Sequence, residues 1–234
     1  MEVVTLPSRR IARNRCRVGV ERVRWPTATG LGQQARLSLF PDALGWEYAS
    51  GAGPVLGLRD LEGRLELSGV PERIYLRPGF FMENHLRGIP GIKQFGVYGS
   101  AFAPDEPVPM IAARDVGHAA TQALVEEPFS GNCIRELLGP RDYTMAEAAP
   151  ILGAAIGLPD LRYVQFPYDR VKDGMLRSGI APGYADAIME IVRSFNERRI
   201  NGRTGRTEKN SMPTHLEEFA RETFRKAFEN AKAA

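Results

Sequence analysis

The segment Arg77-Pro78-Gly79-Phe80-Phe81-Met82-Glu83-Asn84 follows a short apolar run at 73–76 that has the character of a buried strand. The carboxyl end of a strand is where open α/β sheets bind ligands, and a glycine there, lacking a Cβ, lets the backbone approach a flat ring. By residue type alone Pro78-Gly79 is also an ordinary turn, and the adjacent rings of Phe80 and Phe81 are ordinary core packing. A second glycine signal, Thr29-Gly30-Leu31-Gly32-Gln33-Gln34-Ala35, has the G-x-G-x-x-A form of a dinucleotide turn. The residues before it, 21–26, make a poor buried strand, and Pro41 shortens any helix after it.

Other chemistry-bearing residues are scattered. Tyr75, Tyr98, Tyr143, Tyr163 and Tyr168 are candidate proton donors, set against the commoner role of a buried tyrosine with a satisfied hydroxyl. His85, His118 and His215 are far apart and lack metal-ligand spacing, so no metal is expected. Arg114 and Asp115 could touch a ligand, but Asp115 lies where an N-cap would open a helix, and the cap is the simpler role. Cys16 and Cys133 form no C-x-x-C or zinc-finger pattern, which fits a reducing, cytoplasmic setting.

The elements that must position these residues alternate between strand and helix. Leucines at 56, 58, 61, 65 and 67 mark a helix with an apolar face before the strand at 73–76. A short helix is expected at 81–86, then a loop containing Pro90 and Gly91, strands at 94–98 and 108–113, and an alanine-rich helix after Asp115. A strand at 133–138 precedes Thr144-Met-Ala-Glu147, a capping box for a helix in which Pro150 predicts a kink or a late start. A strand at 161–166, helices at about 170–178 and 183–199, and a second capping box at Thr214–Glu217 complete the pattern. The last helix has one apolar face built from Leu216, Phe219, Ala220, Phe224, Ala227 and Phe228.

Length and charge bound the remaining classes. The chain has 234 residues, 43% hydrophobic and 25% charged, sufficient for one sizeable core and a smaller annex. Its net charge of +3 arises from residues 1–48, which hold eight arginines, no lysine and four acids. The body is therefore nearly neutral, and neither a nucleic-acid partner nor a membrane partner is expected.

Four segments, Arg77–Asn84, Ala113-Arg-Asp-Val-Gly117, Leu138-Gly-Pro-Arg-Asp-Tyr-Thr144 with Glu147, and Pro213-Thr-His-Leu-Glu-Glu-Phe219, resemble the NmrA-like family of atypical extended short-chain dehydrogenases in order and spacing. The resemblance spans about residues 49–228. It implies an α/β fold: a partial Rossmann-like parallel sheet with helices on both faces, plus a small α+β carboxyl-terminal domain. The implied division is an atypical Arg-rich segment at 1–48, the remainder of an NAD(P)-binding domain at 49–130, and a carboxyl-terminal substrate or cap region at 131–234, interleaved with the sheet.

Family members bind NAD or NADP, and the resemblance assigns Pro78, Gly79 and Phe80 to the cofactor and Phe81 and Asn84 to the substrate. It implies a small-molecule substrate, a quinone or a carbonyl compound, and a monomer or homodimer. The opening strand, glycine-rich turn and helix of the family pattern have no counterpart, so the chain enters the Rossmann domain partway and dinucleotide binding is expected to be weak. Pro54 and Leu58 stand where a Tyr-x-x-x-Lys dyad would lie, and no catalytic residue is assigned. Two functions follow from the resemblance: NAD(P)H-dependent reduction, or nucleotide sensing and protein interaction without turnover.

Overall fold

The structure, a computed structural model, describes residues 38–41, 51–67, 73–125, 132–200 and 205–231. The Gly30–Ala35 motif lies outside them. Strand β1 (Ser38–Pro41) is followed by helix α1 (Val55–Glu66), strand β2 (Arg73–Pro78), strand β3 (Phe80–Phe81), a 3-10 turn (Met82–Gly88) and helix α2 (Ile89–Phe95). Then come β4 (Tyr98–Ser100), β5 (Val108–Ile111), α3 (Ala113–Val125), β6 (Asn132–Leu137), β7 (Asp142–Tyr143) and α4 (Met145–Ala155). Strand β8 (Tyr163–Gln165) leads into α5 (Tyr168–Arg177), α6 (Pro182–Asn196), α7 (Leu216–Phe219), a π turn (Ala220–Phe224) and α8 (Arg225–Asn230).

Strands β1, β2 and β6 form a parallel sheet with β2 in the centre. Alternation along β2 turns Ile74 and Leu76 toward α3, where they pack with Ala119, Ala123, Cys133 and Leu137. Arg77 reaches the opposite face, where its guanidinium donates to the Glu62 carboxylate of α1 at 2.9 and 3.2 Å. Helices therefore cover both faces, as an α/β sheet requires. Strand β5 pairs in parallel with β3 and antiparallel with β7, and β4 pairs with β8. The larger core lies beyond the sheet's carboxyl edge, where Met82, Met110, Tyr143, Leu152, Phe219 and Phe224 pack together.

Several local features follow from chemistry legible in the chain. The Thr144 hydroxyl accepts the Glu147 N–H at 3.1 Å while the Glu147 carboxylate accepts the Thr144 N–H at 2.8 Å, a complete capping box. That backbone bond, aided by Arg141, holds the Glu147 carboxyl below its ordinary value. Helix α4 starts at the cap and runs through Pro150 without the expected late start. Pro150 and Ala146 are both exposed, so water can take the place of the missing donor.

Other expectations are corrected. Pro90 and Gly91 lie inside α2, because a proline in the first turn forfeits no helical hydrogen bond. The helix runs to Phe95, Gly96 closes it with φ of 67°, and the following strand is confined to Tyr98–Ser100. The leucine face of α1 does not form a core stripe: Leu61 and Leu67 are exposed, while Val55 and Glu62 are buried. Ser38–Pro41, in the Arg-rich segment, pairs with β2 over four residues. Thr214 does not cap the last helix; His215 holds the N-cap position, and Thr214 bonds to Asp115 instead.

Gly79 has a packing role that its sequence setting does not reveal. A Cβ built on it would lie 2.2 Å from the carbonyl oxygen of Pro109, so β5 can approach the end of β2 only if residue 79 has no side chain. Gly79→Ala should lower stability by about 2 kcal/mol or more, since neither backbone can yield cheaply. Gly117→Ala is the control: nothing lies within 4 Å of that added methyl on α3, and a gain of up to about 1 kcal/mol is expected. Urea midpoints of the two variants check both outcomes; equal stability of Gly79→Ala and wild type would contradict the close approach.

Candidate functional site

Beyond the carboxyl end of β2 the chain builds a layer of rings. Phe80 meets Phe102 edge-on with centroids 5.3 Å apart, and Phe102 meets Phe195 of α6 at 5.8 Å. Behind Phe80 sits His85 at 5.6 Å, followed by Tyr98 and then Tyr163. Phe80, Phe102 and Phe195 are only partly buried, so this end of the sheet presents aromatic surface. Such edge-to-face pairs hold ring orientation beyond what area burial alone provides.

The polar groups behind these rings are closed off. His85 is fully buried, its Nδ1 is 2.5 Å from the Tyr98 hydroxyl and its Nε2 is 3.3 Å from the Met110 sulfur. Burial pushes its pKa down to about 4, which leaves a neutral ring whose Nδ1 accepts the Tyr98 proton. Burial likewise pushes the Tyr98 phenol upward, and the Tyr163 phenol up to about 12. Tyr163 donates to the Phe102 carbonyl at 2.7 Å and meets Ser100 Oγ at 2.6 Å. These groups fix the rings in place, and none is poised to exchange a proton near neutrality.

The proposed site residues divide between two faces. Phe80 packs with the Met82 core, whereas Phe81 packs with Ile74, Leu76 and Ile111. Pro78 and Gly79 are buried beneath them, and Asn84 is half-buried on the 3-10 turn. Asp115 does not cap α3: the carboxylate of Glu83 caps it instead, accepting the Ala113 N–H at 3.0 and 3.1 Å. Asp115 lies within the first turn and accepts from Thr214. No local sequence signal could have assigned the cap to Glu83, which lies 30 residues away.

The loop before α1, where a Tyr-x-x-x-Lys helix would supply its proton donor, is shut. Gly51 donates its N–H to Glu190 of α6 at 2.7 Å, and its carbonyl accepts from Ser194 of the same helix. A Cβ on Gly53 would lie 2.1 Å from the Ala187 carbonyl. Of the five candidate tyrosines, Tyr98, Tyr143, Tyr163 and Tyr168 have hydrogen-bonded hydroxyls, and Tyr75 has a buried hydroxyl without a partner among the described residues. A separate cavity of about 400 Å³ between α5 and α6 carries charged side chains such as Lys172 and Asp186, which pair with each other. Among the described residues no group of three His, Cys, Asp or Glu side chains is placed to hold a metal, and no helix is long and apolar enough to cross a membrane.

The described residues offer a dinucleotide no more than an aromatic surface at the end of β2. Pro78, Gly79 and Phe80 give a strand end and an aromatic wall, but the space beside Gly79 is filled by Pro109, not left open for a ring. Among them no glycine-rich turn offers the row of backbone N–H groups that a pyrophosphate needs.

No family model matches the chain. The NAD(P)H azoreductase of Xenophilus azovorans is 34% identical over 117 residues, which is 50% of this chain and 40% of that protein. A (4-alkanoyl-5-oxo-2,5-dihydrofuran-3-yl)methyl phosphate reductase of Streptomyces griseus is 28% identical over 176 residues, 70% of this chain and 60% of that one. An NADPH-dependent quinone oxidoreductase of Escherichia coli, also solved with NADPH, superposes with a TM-score of 0.65 at 21% identity, over 79% of this chain and 66% of that one. The triphenylmethane reductase of Citrobacter sp. gives 0.62 at 16%, over 82% and 65%. The chain thus has their Rossmann-like fold, and it spans about half the length of the curated relatives it matches.

Burial of neutral His85 carries a sign that can be measured. The folded chain leaves the ring unprotonated down to about pH 4, whereas the unfolded chain takes up a proton near the ordinary value of 6.5. The unfolded state binds more protons in that window, so stability falls as pH drops from 6.5 toward 4, by roughly 3 kcal/mol from this group. Urea unfolding at several pH values should show a shallower acid slope for His85→Phe than for wild type; equal slopes would contradict the assignment.

Proposed function

We propose that this chain, a relative of NAD(P)H-dependent oxidoreductases of the NmrA-like, atypical short-chain type, serves the reduction of a flat conjugated acceptor, a quinone or a carbonyl compound, at the carboxyl end of β2. The observation that carries this reading is the partly exposed aromatic wall of Phe80, Phe102 and Phe195 at that strand end. Bound NADPH would supply a hydride. Phe80, with Pro78 and Gly79 packed beneath it, would lie against the nicotinamide, and Phe81 and Asn84 would face the acceptor. The buried His85, Tyr98 and Tyr163 behind this wall supply no proton near neutrality, which suits acceptors whose reduced form is protonated from water.

A second reading rests on a different observation: the loop before α1 is closed by α6, and the dyad positions hold Pro54 and Leu58. A chain so built could bind nucleotide as a sensor without turning it over. NADPH consumption with a panel of quinones and azo dyes separates the two. Consumption supports reduction, and NADPH binding without consumption by any acceptor overturns it in favour of sensing.

Affinity itself is a sharper expectation. Without a pyrophosphate cradle among the described residues, contacts to the nicotinamide end alone must offset the cost of ordering a flexible ligand. Calorimetry should give a dissociation constant for NADPH weaker than about 1 μM, or roughly −8 kcal/mol; tighter binding would contradict it.

A further inference from the structure

The first turn of α3 bonds to two distant segments through three consecutive residues. The Ala113 N–H donates to the Glu83 carboxylate. Arg114 donates through Nε to Thr214 Oγ1 at 3.0 Å, through one terminal nitrogen to Glu222 at 2.5 Å, and through the other to Glu218. Asp115, buried to 2% exposure, accepts the Thr214 N–H at 3.1 Å and its hydroxyl at 2.7 Å. On its amino side this turn holds the residue next to Asn84, and on its carboxyl side it holds the start of the last helix.

The two partner segments also meet directly. Met82 of the 3-10 turn shares one core cluster with Leu216, Phe219, Ala220 and Phe224. The helix is wound as a π turn over Ala220–Phe224, where that contact is made. A π turn adds a residue to the helical ring and persists where packing on its neighbours holds it.

We propose that the first turn of α3 is a junction through which the carboxyl-terminal helix sets the position of the Asn84 segment, with Glu83, Asp115 and Thr214 as positioning residues. Hydrogen bonds to charged partners are the stronger kind, and the buried Asp115 carboxylate is costly to leave unmatched, so release of Thr214 disturbs the whole turn. A loosened turn no longer presents the Ala113 N–H to Glu83. The 3-10 turn then loses its carboxylate anchor and its apolar support together. That Asn84 faces a substrate rests on the proposed function; the coupling itself does not.

Hydrogen exchange of the full chain, read segment by segment, tests the junction without any dinucleotide, so its failure is separate from failure of the reductase reading. Thr214→Val should raise exchange at least about tenfold in residues 82–88 as well as 214–222, given the loss of a hydrogen bond to a charged group. Strands β4 and β8 should keep their wild-type rates. Thr214→Ser, which retains the hydroxyl, should restore protection in both segments. Tyr143→Phe is the control, because it removes the acceptor at 3.1 Å for the Leu216 N–H without touching α3; it should loosen 214–222 alone. Should Thr214→Val fail to fold, Arg114→Lys carries the same test, since lysine keeps the charge and loses the Nε donor. Loosening confined to 214–222, or spread evenly over the chain, overturns the proposal.

Discussion

Two backbone carbonyls of β5 and the two glycines that make room for them set the architecture. A Cβ on Gly79 would meet the Pro109 oxygen at 2.2 Å, and a Cβ on Gly139 would meet the Met110 oxygen at 1.8 Å. Both glycines directly follow strands of one sheet or its bridge, and both are bare where β5 arrives. Any side chain would push β5 away, and with it Met110, whose sulfur contacts His85, and Val108, which pairs with Tyr143. The larger core, the aromatic layer and the start of α3 all hang on strand β5. A backbone contact of this kind tolerates no repacking, because neither partner has a rotamer to change.

Around that contact, two buried polar pairs satisfy each other. Arg77 and Glu62 neutralise each other between β2 and α1, and removing either would strand a charge at a cost of about 3–5 kcal/mol. His85 and Tyr98 satisfy each other behind Phe80. Both pairs make the strand end rigid, and burial keeps His85 and Tyr98 from titrating near pH 7. The chemistry such a wall can serve is orientation of a flat acceptor and exclusion of water, with hydride supplied from outside the chain.

What the sequence disclosed was local, and what it concealed was tertiary. The strands expected at 73–76 and 108–113 form as Arg73–Pro78 and Val108–Ile111, and the Thr144 box and the apolar face of the last helix are likewise written in short-range pattern. Asp115 has the type and place of a cap, but a carboxylate 30 residues away does the capping and frees Asp115 for Thr214. Thr214 has the spacing of a second box, yet its hydroxyl is drawn off by the Asp115 carboxylate. Gly79 carries a motif legible as a ligand turn, while its missing Cβ is explained by Pro109. In each case two local rules competed for one group, and a partner distant in sequence decided between them.

The central claim is that the carboxyl end of β2 is the ligand-facing edge. Amide chemical shifts of the isotopically labelled chain, followed as NADPH is raised to about millimolar concentration, test it even at weak affinity. The largest shifts should fall on Gly79, Phe80 and the amides through Asn84. Shifts concentrated on the α5–α6 cavity instead, or none at the end of β2, would contradict it.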